Sequence, residues 1–108
     1  MTSEDLLAVL AAMGHRQRLR AVAELADGRL HMGELARRLG MSRPLLHLHL
    51  NRLEKAGLVA CHLERSREGK ALRYVELAPF ALNLTVDTVL GALAQDTEGH
   101  VNMKGTAT

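Results

Sequence analysis

The chain is 108 residues long and 47% apolar, which suits a single packed domain and excludes both wholesale disorder and a second core. Leucine occurs 21 times, isoleucine never, and Tyr74 and Phe80 are the only aromatic residues, so the core must be leucine on alanine, a composition that favours helices. Charge is unevenly spread. Residues 15–73 hold 13 basic and six acidic side chains, +7, between ends that carry −2 and −3. A basic middle suits a surface aimed at a polyanion; it is equally the pattern of a solvated, arginine-rich face.

One cysteine, Cys61, excludes an internal disulfide and any multi-cysteine metal site. The apolar residues 6–13 follow Glu4 and Asp5 and are too short for a membrane span, so a cytoplasmic location and no membrane partner are expected.

In chain order, Leu6, Leu7, Leu10 and Met13 repeat at helical spacing, with Thr2 or Ser3 as cap and Gly14 as stop. Leu19, Val22, Ala23 and Ala26 mark a second helix closed by Asp27 and Gly28. A third covers about 32–39, with Leu35 and Leu39 inward and Gly40 as a left-handed stop. Ser42 caps a fourth, with Arg43 and Pro44 in its first turn and Gly57 at its end. The period then changes. Val59, Cys61 and Leu63 alternate as in a strand, residues 70–77 give a second, and the polar turn 66–69 joins them in a hairpin. Phe80, Leu82 and Leu84 suggest a short third strand. Thr85 can cap a last helix with Val86, Val89, Leu90 and Leu93 on one stripe, and from Asp96 the chain reads as a tail. The expected organisation is one domain over 1–95 and a flexible tail over 96–108.

Residues 33–44 place two short helices about a tight Gly-containing turn, a geometry that offers the second helix to a DNA major groove. A basic hairpin follows at once. The expected fold is therefore mainly α with a small β-hairpin wing, a winged helix-turn-helix. At 100° per residue, Leu46, Leu50 and Leu53 of the 42–56 helix face inward, while Pro44, His47, Leu48, Asn51, Arg52 and Lys55 face out. With Ser42 and Arg43 they form the candidate DNA-binding face. His49 lies close to the inward arc and reads as a histidine that supports the helix. Leu48 suits a thymine methyl group or is simply an exposed leucine. Arg65, Arg67, Lys70 and Arg73 give the wing (64–73) cations for phosphates or a minor groove, unless Glu64 and Glu68 neutralise them locally.

Taken together, residues 19–25 and 33–39, Ser42-Arg43-Pro44, His49-Leu50, residues 53–59, Gly69 and residues 74–77 resemble the ArsR/SmtB winged-helix repressors. The resemblance spans roughly residues 5–95. It implies a homodimer built from the first and last helices, here through Leu6, Leu7, Leu10, Val86, Val89, Leu90 and Leu93, and release of a palindromic operator when an effector binds. Metal sensing, frequent in that family, is not expected. A thiolate pair in the third helix is replaced by His31 and Gly33. Of a second ligand set only Asp87 and His100 remain, with Val89 and Met103 at the other two positions. No cofactor is expected, and any effector is an unidentified small molecule. Cys61 has no resolving partner and reads as a small hydrophobe. No nucleophile–base–acid set or phosphate-cradling loop suggests an enzyme; His47 and His49, two apart on a helix, diverge by about 160° and cannot share a ligand. The alternative function is a winged helix that binds another protein, with Leu48 as its anchor.

Overall fold

A computed structural model describes residues 1–104, except for the side chains of 98–104. Among the described residues the order is α1 (Ser3–Met13), α2 (Arg16–Glu24), β1 (Leu30–His31), α3 (Met32–Leu39), α4 (Arg43–Lys55), β2 (Val59–Arg65), β3 (Ala71–Leu77) and α5 (Val86–Lys104). The fold is a winged helix-turn-helix of the α+β class.

Helix boundaries follow from caps. Thr2 accepts the Asp5 N–H while the Asp5 carboxylate accepts that of Thr2, a closed capping box. Gly40 adopts φ 66°; its N–H reaches the Arg37 carbonyl at 3.1 Å and that of Met41 reaches Ala36 at 3.1 Å. This left-handed cap turns the chain sharply between α3 and α4, and a side chain here would strain the backbone. Ser42 then accepts the Leu45 N–H at 3.3 Å and starts α4, with proline in the first turn.

The core lies where α2, α3 and α4 meet the sheet. Leu25, Leu35, Leu46, Leu53, Leu58 and Val75 are almost fully buried, with Ala21 and Ala36 allowing close helix approach. Each such leucine stabilises the fold by about 1.5–3 kcal/mol, so this cluster holds α4 firmly on the domain. The sheet order is β1-β3-β2, all antiparallel, and β2 pairs with β3 from Val59↔Leu77 to Arg65↔Ala71.

Four expectations need correction. Residues 78–85 form no strand: the Ala78 N–H still bonds the Leu58 carbonyl, but Pro79 has no N–H to offer a ladder. The third strand is instead β1, which occupies the free edge of β3 through Leu30↔Val75 and His31↔Tyr74. In α2 and the turn that follows it the inward residues are Ala21 and the C-cap Leu25, while Leu19, Ala23 and Ala26 are exposed. Leu6 is only 5% exposed within the single chain, so it belongs to the fold rather than to a free surface. Helix α5 continues past Asp96 to Lys104, where a tail is expected; the Ser3 N–H donates to Asp96 at 2.9 Å and the Ser3 hydroxyl bonds its other oxygen, pinning the start of α1 to this point of α5. The His100 side chain and residues 105–108 of the expected tail lie outside the described residues.

Candidate nucleic-acid interface

Packing fixes which side of α4 can meet a ligand. Leu46, Leu50 and Leu53 are buried, and Ser42, Arg43, Pro44, Leu48, Asn51, Arg52 and Lys55 are exposed, as their spacing requires. His47 is half-buried because it faces the wing. Its Nδ1 accepts a hydrogen bond from Arg73 Nη1 at 3.0 Å, linking the outer face of α4 to strand β3. Arg43, in the first turn of α4, lies with its guanidinium over Gly33 of α3. Arg43 and Arg73 border one cleft of about 170 Å³ between α3, α4 and the wing, which Leu63 and Leu72 also line. The structure thus brings the two halves of the candidate surface together.

The wing turn is set by its own backbone. Ser66 N–H donates to the Lys70 carbonyl at 2.8 Å, Lys70 N–H to Ser66 Oγ at 3.1 Å, and Gly69 takes φ 82°. Arg65 folds back onto the Gly69 carbonyl at 3.2 Å, while Arg67 and Lys70 are exposed.

Acidic side chains decide whether this charge is available. Glu34 takes both Arg37 and Arg38, which hold its carboxyl down at about 2, and Glu24 also meets Arg38. Glu64 does not neutralise the wing: it pairs with Arg29, which together with His62 lowers its carboxyl below the usual range. Arg29 also stacks over Tyr74 at 4.2 Å, so this acid is held at the loop before β1. Among the described residues, Arg43, Arg52, Lys55, Arg65, Arg67, Lys70 and Arg73 have no carboxylate within ion-pair distance.

His49 is 8% exposed and supports α4 from behind, as its near-inward position suggests. Arg18 is the residue that spacing alone misses. Its Nε donates to the Ala12 carbonyl at 2.6 Å, Nη2 to that of Ala11 at 3.2 Å, and Nη1 to His49 Nδ1 at 3.3 Å. Burial first, then the nearby His15 and Arg18, push the His49 imidazole below its ordinary value. No local periodicity connects residue 18 with residue 49, and no local signal pairs Arg29 with Glu64. Cys61 is half-buried and its thiol is raised by burial and by Glu54, the behaviour of a structural thiol. No cluster of three or more candidate metal ligands occurs among the described residues, and none of their helices is long and apolar enough to cross a membrane.

Residues 19–60 match the family model described as winged helix-turn-helix DNA-binding. Reduced HlyU from Vibrio cholerae N16961 is 30% identical, with 71% of this chain covering 76% of that one at a TM-score of 0.60. The chain belongs to the ArsR-type winged helix-turn-helix regulators. NolR from Sinorhizobium fredii is 27% identical over 86% of this chain and 84% of its own, at a TM-score of 0.58. The homodimeric winged helix-turn-helix domain of Mb0332 from Mycobacterium bovis, 18% identical, shares the fold over 97% of this regulator and 87% of its own chain, at a TM-score of 0.59. No curated protein matches the sequence significantly. The regulator therefore carries a DNA-binding domain and acts in transcription rather than as an enzyme.

Proposed function

We propose that the regulator is a homodimeric repressor of a palindromic operator, with α4 in the major groove and the wing, residues 64–73, along the flanking backbone. One observation supports this most: the exposed cations of α4 and the wing lack carboxylate partners among the described residues, while Glu24, Glu34 and Glu64 are held by Arg38, Arg37 and Arg29. Seven such cations supply the salt-dependent phosphate attraction. Ser42, Pro44, His47, Leu48 and Asn51 complete the α4 face, with His47, Leu48, Asn51 and Arg52 the side chains for base edges. In a dimer the two α4 helices would enter half-sites about 34 Å apart, one turn of DNA. Self-association would use Leu7, Leu10, Val86, Val89, Leu90 and Leu93, all exposed in the single chain.

The test is binding to the promoter upstream of its own gene and to a scrambled duplex, across a salt series. A footprint on an inverted repeat with about 1000-fold preference or more is the expected result. Equal, steeply salt-dependent binding to both duplexes would leave the electrostatic attraction alone and remove sequence-specific repression at that promoter. That second outcome would favour a protein-binding role, for which Leu48, 63% exposed beside the exposed Leu45, is the suitable anchor.

A further inference from the structure

We propose that Arg18 and His49 form a proton-sensitive tie between α1 and the DNA-binding helix α4, so that mild acid weakens the regulator's hold on its operator. The coupling to DNA rests on the function proposed above; the tie itself does not.

A single guanidinium closes the last turn of α1, through the Ala11 and Ala12 carbonyls, and donates to the imidazole of α4. Carbonyls at a helix C-terminus carry partial negative charge, so the cationic Arg18 has strong reason to stay there. Because Arg18 can only donate, His49 Nδ1 must be an unprotonated acceptor, which leaves the ring neutral with its proton on Nε2. The tie exists in one protonation state only.

Protonation would convert Nδ1 into a donor facing another donor. The surroundings give the new charge no relief. It meets Arg18 of α2 and His15 at that helix's N-cap, whose ring centroid lies 4.7 Å away; on α1 the Ala11 and Ala12 carbonyls are taken up by Arg18; along its own helix Arg52 and Lys55 line the same groove. Arg18, His49, Arg52 and Lys55 share a groove of about 370 Å³ that no acidic side chain lines. A histidine so placed resists protonation, as burial and the two neighbouring basic groups dictate. The folded value is lowered, so its contribution to stability is fully present above the unfolded value near 6.5 and is lost as the pH falls through it towards the folded value. The consequence for DNA runs against intuition. Exposed histidines that gain charge beside phosphates strengthen binding, whereas breaking the tie removes a hydrogen-bonded link between α4 and the helix expected to carry the dimer contact.

Two readouts test it, each on the full chain. Thermal melts at pH 7.5 and 5.5 compare the natural protein with His49→Asn, whose amide oxygen can accept from Arg18 near the Nδ1 position but does not titrate, and with Arg18→Met. The natural protein should lose more melting temperature on acidification than either variant. Equal losses would overturn the tie, whatever the protein does with DNA. Operator affinity at fixed ionic strength is the second readout. The natural protein should lose affinity between pH 7.5 and pH 5.5, as linkage between protonation and binding requires. His49→Asn should hold its affinity, and Arg18→Met should bind more weakly at pH 7.5 without a further fall. An unchanged natural protein, or a His49→Asn variant that falls as steeply, would overturn the coupling. Should none of the proteins prefer operator over scrambled DNA at pH 7.5, the coupling falls with the proposed function, while the melts still decide the tie.

Discussion

Glycine 33 stands at the second position of α3, and a Cβ built there would lie 2.5 Å from Nη2 of Arg43. The obstructing atom is the tip of a long, exposed side chain, which can swing aside at little cost. Alanine in place of glycine inside a helix gains up to about 1 kcal/mol. Gly33→Ala should therefore leave the melting temperature unchanged or raise it by a few degrees, even though the static contact looks prohibitive. A clear drop in a calorimetric scan would show that Arg43 is held in place more tightly than its exposure suggests. At this scale the sequence was legible wherever one period governed burial: Leu46, Leu50, Leu53 and His49 all lie where 100° steps put them. It was silent on Arg18 and Arg29, because their partners, His49 and Glu64, are 31 and 35 residues away and no pattern of period 2 or 3.6 links them.

The turn and the wing are elements with separate duties, and their variants should separate accordingly. Ser42 Oγ satisfies the Leu45 N–H at the start of α4, so Ser42→Ala should cost about 1 kcal/mol of stability, read by chemical denaturation. Arg67 sits at the wing tip and has no carboxylate partner among the described residues. Arg67→Ala should leave stability unaltered, weaken binding almost uniformly across DNA sequences, and flatten the plot of log affinity against log salt by about one. An unaltered salt slope would take the wing tip out of the interface. The hairpin was readable because strict alternation and a polar turn containing glycine are local signals. Strand β1 was not, since two residues carry no alternation and its existence depends on the vacant edge of β3. The length of α5 was hidden for a related reason: glycine and threonine near its end argue for a stop, while the tie of Asp96 to Ser3 comes from the other end of the chain.

The described residues span 61 × 27 × 22 Å with a radius of gyration of 17.7 Å, against about 13 Å for a compact domain of this length. Helix α5 exposes Val86 at 74%, Val89 at 41%, Leu90 at 59% and Leu93 at 52%, and α1 adds Leu7 at 62%. Side chains at 86, 89, 90 and 93 recur at the three- and four-residue steps of one helical face, and a second copy offers the same stripe for a self-complementary contact. A charge in its middle is then the most direct test. Within one chain the Leu90 side chain is already solvated, so Leu90→Asp should leave the melting of a monomer nearly unchanged. In a dimer it would set two carboxylates in an apolar interface, where an unpaired charge is costly to desolvate. Sedimentation equilibrium should accordingly find the natural protein at twice the mass of the folded Leu90→Asp variant. The same variant should lose affinity for a two-half-site operator much more than for an isolated half-site, because linkage through the dimer raises the effective concentration of the second domain. A folded variant that still sediments as a dimer would move the contact away from α5 and leave its apolar stripe without a partner.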